Sequence, residues 1–523
     1  MKYKKAIYVK EWVLSQPYSA PSAVDTYYCE LANKIYSIFC LPQHNLPSSC
    51  LAGLNKDDYG FFALGLTAYL EDIVSGLGLW KVFTDRHKQL YGTLLPFYNV
   101  TDDYFEGEVN YHDVCFLVWY FLSVYLKGEI FNPLDSSILD ISKDIFEVFE
   151  EEYEYAPENE RAREFLQLPP DVTDFYEVRK RIEFILMNSY LYRITKFEYI
   201  FEVSKELGNV PKEEKALAKA YSQEVYDRYV IGHVMPLLGF TGKDIFAGIL
   251  GKTHPLYANV VGLGDKKKGK YVYSSHDDKY IHFKHIASGT IIPVTRKSID
   301  LNKDILEKVV ILMSVVKYAG EWWFSGALRS LSEYQDISAE HDPLEDKNLF
   351  DDNLEIKQEQ TLSLYQRFVK FNKGSELAYL PNPKEADRFI RDFFAWIGKK
   401  YNGNVPEETG IDLSAAEEFN DVPTLLFFNK NAGIEMLFGY NMVVDDRKNP
   451  FFEKDYPEEE LLDLLVSEHA GGDLLRYLLE RKLIKEFRFP GEGNALLMKN
   501  LGFMLYFYKR QNYTGTPNIT IMG

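Results

Sequence analysis

His87 together with the adjacent pair His112-Asp113 is the one grouping in this chain whose residue types and order suggest catalysis. A histidine, a later His-Asp dipeptide and a more distant acid, all on stretches of helical periodicity, can hold a divalent metal. Two imidazoles and two carboxylates then bind the ion, which lowers the pKa of a bound water and turns it into a nucleophile. Asp140 or Asp144 would supply the last ligand. The same residues also have an ordinary structural reading. Asn110 suits the N-cap of a helix, and Asp113, three residues on, favours the positive end of that helix. The structural reading is preferred, which leaves His87, His112 and Asp113 as candidates for an unassigned catalytic set.

Other sequences that carry chemistry fail on spacing. Gly251-Lys252-Thr253 resembles the end of a phosphate-binding loop, but that loop needs a glycine where this chain has Phe246. Gly262-Leu263-Gly264 precedes a strand instead of joining a strand to a helix, so it is not a dinucleotide fingerprint. The lysines that follow, Lys266 to Lys268, form a basic spot on a solvated loop, with anion contact as the secondary reading. His276, Asp277, Asp278, His282 and His285 fall within ten residues, yet positions 282 and 285 face opposite sides of a strand. The four cysteines, Cys29, Cys40, Cys50 and Cys115, contain no close pair, which argues against zinc and for a reducing compartment. No metal and no cofactor are expected.

The elements that would position these residues divide the chain. Residues 1–210 read as a helical domain with short Pro- or Gly-containing connections, including DTYYCELANKIYSIF with Asp25 as its expected N-cap. Cys115 to Leu126 is too short to span a bilayer and reads as a buried helix. Residues 211–331 read as a helix followed by a small β-module, with Tyr271–Tyr273, Tyr280–Phe283 and Thr290–Val294 as strands. Asp304 to Tyr318 is helix or strand. It enters Gly320-Glu321-Trp322-Trp323-Phe324-Ser325-Gly326, where adjacent tryptophans on an extended backbone point to opposite sides. Trp322 and Trp323 are therefore the candidate binding residues, set against burial of both rings at a domain junction.

Residues 332–360 carry ten carboxylates against Lys347 and Lys357 and read as an acidic linker. Residues 361–523 read as an α+β domain containing a hairpin across Asn429 to Gly433, where Asn and Gly supply positive φ. The fold class is α+β and predominantly α-helical, with a helical N-terminal domain, a central antiparallel β-module and an α+β C-terminal domain.

Composition narrows the function classes. With 523 residues, 46% hydrophobic and 26% charged, the chain is large enough for two or three cores. Its 38 Tyr and 36 Phe suit wide, half-wet helix interfaces, or reflect a compositional bias of the source. A net charge of −19 repels phosphate backbones and anionic lipid, so nucleic-acid and membrane binding are disfavoured unless a local patch overrides the global field. No signal-peptide core survives the charges at Lys10 and Glu11, and a cytoplasmic location is expected.

Two blocks carry a family resemblance: IYVKEWVLSQPYSAPSAVDTYYCELANKIY, and Tyr271 to Gly326 with its HIASGTIIPVT and YAGEWWFSG. They resemble an uncharacterised family of cytosolic Bacteroidota proteins, and the second block is similar to the small β-segment of SEC-C-type bacterial proteins. Neither resemblance implies an activity. The preferred function is a non-enzymatic interaction or scaffold protein of the bacterial cytoplasm with a protein partner. The alternative is an HD-type phosphohydrolase acting through His87, His112 and Asp113.

Overall fold

The structure is a computed structural model. It describes residues 6–41, 54, 56–100, 103–126, 130–208, 215–264, 266–299, 306–307, 309–331, 354–401, 421–455, 461, 464–467, 470–485, 494–509 and 518–522. The chain forms two compact units, Met1–Leu126 with Pro133–Asp352, and Lys127–Asn132 with Asn353–Gly523. Most of the expected linker, 332–353, lies outside the described residues; 354–360 already belong to a helix.

The first unit opens with α1 (Val9–Val13), α2 (Ala23–Phe39), α3 (Lys56–Ser75), α4 (Leu79–Tyr91), α5 (Tyr111–Tyr125) and α6 (Ser136–Tyr153). It continues with α7 (Glu160–Leu166), α8 (Phe175–Met187), α9 (Ile194–Leu207), α10 (Lys215–Gly232), α11 (Gly242–Leu250) and α12 (Tyr257–Val261). Helix α2 starts earlier than expected. Ser22 is its N-cap and Asp25 sits at the third position, where the two side chains satisfy each other's backbone N–H groups in a capping box. Helix α5 is buried from Asp113 to Val124, which explains its unbroken apolar run. Among the described residues no single helix is long and apolar enough to cross a membrane; α3 and α4 pass such a test only as a pair bent by 88°.

The tyrosine excess has a structural use in this unit. Tyr28, Tyr69, Tyr98 and Tyr190 bury their rings, and their hydroxyls donate to Pro157 O, Asp113 Oδ2, Pro133 O and Asp72 Oδ2. Each ring fills core volume while its polar tip ties two helices or loops together.

The β-module is a closed barrel. Its strands are β1 (Lys266–His276), β2 (Tyr280–His285), β3 (Ile291–Thr295), β4 (Val310–Tyr318) and β5 (Glu321–Leu331), in the order β1-β2-β3-β5-β4 with β4 returning to β1. All pairings are antiparallel except β3 with β5, which meet in parallel at Val294 and Trp322. This is the strand order of the OB-type Greek-key barrel. Tyr271, Ile281, Phe283, Ile292, Val294, Ile311, Met313 and Val315 fill its interior. The β4–β5 hairpin turns on Ala319 and Gly320, both at positive φ (48° and 83°), as a two-residue turn matched to strand twist requires.

The undecided run before Tyr318 is strand β4, and the reason for the ambiguity is physical. One of its faces fills the barrel and the other packs on helices, so it is buried on both sides and lacks the alternation of a half-exposed strand.

In the second unit a sheet of order β6-β7-β8-β9 comprises Leu377–Leu380, Thr424–Asn429, Gly433–Phe438 and Asn518–Met522. Helices α13 (Leu354–Phe371) and α14 (Pro383–Tyr401) lay Phe368, Ile390, Phe393 and Ile397 against Leu426, Phe428, Ile434 and Met436. Further helices follow at α15 (Gly472–Glu480), α16 (Asn494–Lys499) and α17 (Leu501–Lys509). The expected hairpin is β7–β8. Strand β9, parallel to β8, has no counterpart in the sequence reading.

Trp323 is fully buried between Phe175 and Tyr176 of α8, on the outside of the barrel. Trp323→Ala is expected to lower the unfolding free energy by about 3–5 kcal/mol, measured by denaturant titration. An effect below about 1 kcal/mol would contradict this packing.

Candidate functional site

Among the described residues, the barrel docks on the helical bundle through one side. Its β4–β5 exterior docks on α8 and α10 around Asp227, a carboxylate with no exposure. Arg179 Nη1 of α8 and the Ser325 hydroxyl of β5 both donate to Asp227 Oδ1, and Arg179 Nη1 also reaches Ser325 Oγ at 2.9 Å. Lys266 Nζ of β1 lies 2.5 Å from Asp227 Oδ2. One turn earlier on α10, Glu224 pairs with Lys266 (3.4 Å) and Lys268 (3.3 Å). Burial alone would raise the pKa of Asp227, but Lys266 and Arg179 outweigh it and hold the carboxyl below its usual range.

Gly326 makes the approach possible. Its φ is +79°, and a Cβ there would stand 2.9 Å from Glu224 Oε2 and 3.2 Å from Asp227 Oδ2. The sequence WWFSG thus encodes a dock: Trp323 fills the apolar part, Ser325 meets the carboxylate, and Gly326 clears space for both acids. Beside the dock, a cavity of about 260 Å³ is lined by Glu206, Tyr221, Glu224, Lys268, Met313 and Arg329, with cations and carboxylates of equal number.

The barrel's β1-β2-β3 side has a different character. Because Ile281, Phe283, Ile292 and Val294 point inward, the outward positions are Tyr280, His282 and Lys284 on β2 and Ile291 and Pro293 on β3. Val272 of β1 stands opposite Lys284, and Lys284 opposite Ile291, in one cross-strand row. Ile291 is 53% exposed and Ile286, just past β2, is 38% exposed. None of these positions is acidic. Residues 266–331 hold twelve Lys and Arg against six Asp and Glu, a net +6 inside a chain of net −19.

The residues singled out by sequence are dispersed. His87 is buried, its Nδ1–H donates to Thr93 O at 2.6 Å, and burial lowers its pKa to about 4. His112 is half-buried beside Tyr98 and Tyr111, and burial lowers its pKa also. Asp113 accepts from Tyr69 (2.6 Å), Trp80 Nε1 (2.9 Å) and Tyr104 (2.9 Å), so its lone pairs are committed to the bundle. Among the described residues no group of three or more His, Cys, Asp or Glu is placed to hold a metal. Trp322 and Trp323 do face opposite ways: Trp323 meets the helices and Trp322 packs, partly buried, on the barrel core. Lys266 to Lys268, read as a solvated loop, are the start of β1. His285 is buried and bonded to Ser288, whereas His282 faces outward and meets Asp277 Oδ2 at 3.1 Å.

Sequence reasoning missed the acids that matter most. Glu71 and Asp72 of α3 are fully buried with Asp113. Gln16 and Asn159 donate to Glu71, and the backbone N–H groups of Gly78, Leu79 and Trp80 donate to Asp72. Burial raises Glu71 to about 7, Asp72 to about 6 and Asp113 to about 7. In the second unit, burial likewise raises Glu435 to about 7, beside Asn429 Nδ2 at 2.7 Å. These are structural networks whose donors come from the fold itself.

The sign of their linkage is testable. A carboxyl raised by folding binds its proton more tightly in the native state, so stability falls as pH rises toward the folded pKa. Histidines held neutral act oppositely, but only below about pH 6.5. The thermal midpoint is therefore expected to fall between pH 6.5 and 8, and Glu71→Gln is expected to flatten that slope. A midpoint that rises over this interval would contradict the assignment.

Residues 6–274 and 330–510 match the family described as Protein of unknown function (DUF3843). The chain belongs to this family. No curated protein and no solved structure matches it. The segments matched to DUF3843 contain the helical bundle, most of β1 and most of the second unit. They leave out 275–329, so the HIASGTIIPVT and YAGEWWFSG block lies between the matched segments and not within them.

Proposed function

We propose that this DUF3843 member is a non-enzymatic binding protein of the bacterial cytoplasm whose helical bundle presents the β1-β2-β3 face of the barrel to a partner. The observation that carries this reading is the asymmetry of the barrel. Its β4–β5 side is buried against α8 and α10 through Trp323 and Asp227, while its opposite side exposes Ile291 and Lys284 in a cross-strand row with Val272 that contains no acid. Exposed aliphatic side chains beside cations are what a recognition surface needs: apolar area to bury and charge to orient the partner. Hydrolysis at a metal through His87, His112 and Asp113 draws no support from geometry, because Asp113 already accepts three hydrogen bonds.

A photo-crosslinking residue at Ile291, in protein expressed in its native cells, is expected to yield a discrete adduct. The same residue at Leu14, 70% exposed on the helical bundle, serves as control. Equal yields at the two positions would overturn the reading. So would stoichiometric Mn, Fe or Zn in purified protein that disappears in His112→Ala, which would restore the hydrolase.

A further inference from the structure

We infer that the β1-β2-β3 face takes single-stranded nucleic acid, an assignment that rests on the binding role proposed above. Three observations converge on it. The central strand, β2, carries outward an aromatic ring, an imidazole and an ammonium in line: Tyr280, His282 and Lys284. The Tyr280 and His282 rings lie 6.5 Å apart on the same face. Alternate residues of a strand are spaced about 6.6 Å apart, so the three offer successive contacts along one extended ligand. Rings supply stacking surface that accepts any base, and the ammonium pairs with phosphate.

Charge is the second observation. Of the twelve cations in residues 266–331, Lys266 and Lys268 are engaged by Asp227 and Glu224 at the dock, whereas Lys284 stands on the β1-β2-β3 face and Lys279 and Arg296 lie at its rim, three cations placed to meet phosphates. Two of the carboxylates nearest the face are already occupied. Asp277 accepts the backbone N–H groups of Lys279 and Tyr280, both at 2.8 Å, besides meeting His282. Glu321 is held by Lys297 (3.1 Å) and the Tyr280 hydroxyl (3.2 Å). Asp278 remains at the rim, in the β1–β2 turn.

Topology is the third. The barrel is closed, so β2 has a neighbour on each side and presents no free edge to which a peptide could add as a further strand. Recognition must run through side chains on the sheet face. A duplex would hide its base faces from Tyr280 and His282, whereas a single strand exposes them.

The test is fluorescence anisotropy of the full chain with labelled dT12 and rU12, the two arms separating DNA from RNA. Saturable binding is expected at low salt, falling with salt along a log–log slope of about −2, as neutralisation of about three phosphates on a single strand requires. Lys284→Glu is expected to weaken binding at least tenfold and Tyr280→Ala by about tenfold, the latter with the salt slope unchanged. Lys284 is exposed, so an unchanged melting temperature verifies that the charge-reversed protein is folded. Absence of binding to both oligonucleotides at low salt, or binding indifferent to Lys284→Glu, would overturn the inference. Equal competition by poly-glutamate would also overturn it and assign the face to acidic polypeptides. A discrete protein adduct from Ile291 together with failed oligonucleotide binding would remove the nucleic-acid assignment and leave the binding role standing. Failure of both experiments would remove both.

Discussion

The architecture of the first unit turns on a single buried carboxylate. Asp227 sits without exposure between Arg179 of α8, Lys266 of β1 and Ser325 of β5, joining two helices to two strands that are far apart in sequence. An ion pair this deep is not a cheap source of stability, because both charges lose their water. Its value is geometric. Removing one partner leaves the others buried and uncompensated, so alternative seatings of the barrel on the bundle are penalised. Trp323 adds the apolar contact that makes the seating favourable, and Gly326 removes the side chain that would block it.

The face left outward follows from that seating. Once β4 and β5 are turned to the helices, the alternation of each strand dictates what β1, β2 and β3 show to the other side. A global charge of −19 repels phosphates. What reverses the local sign is the concentration of lysines and arginines in one 66-residue module, an effect that averaging over the chain conceals.

Much of the scaffold was legible in sequence. The helical N-terminal region, the β7–β8 hairpin and the opposed tryptophans all rest on local periodicity or turn chemistry, which short windows carry faithfully. The barrel's closure was not legible, since the pairing of β1 with β4 and of β3 with β5 joins segments between which no local pattern exists. Strand β4 lost its alternation by being buried on both faces. Asp25 was displaced from the N-cap because Ser22, three residues earlier, completes a capping box with it. The candidate set is separated for a similar reason: His112 and Asp113 are adjacent in sequence, but helix geometry sends Asp113 into a cage of Tyr69, Trp80 and Tyr104 while His112 stays half-buried among other rings. Nothing in sequence marked Asp227, which has no neighbouring motif; the nearest signal was the Ser-Gly that follows the tryptophans, whose small residues ask for something to approach them closely.

The claim on which all of this depends is that the barrel and the helical bundle are one cooperative structure fixed through Asp227. Native-state hydrogen exchange of the full chain, followed peptide by peptide, addresses it directly. Amides of β1, β4 and β5 are expected to exchange in the same slow class as those of α8 and α10, and in Asp227→Asn the barrel amides are expected to separate into a faster class of their own. Barrel amides that already exchange independently of α8 and α10 in the native sequence would contradict it.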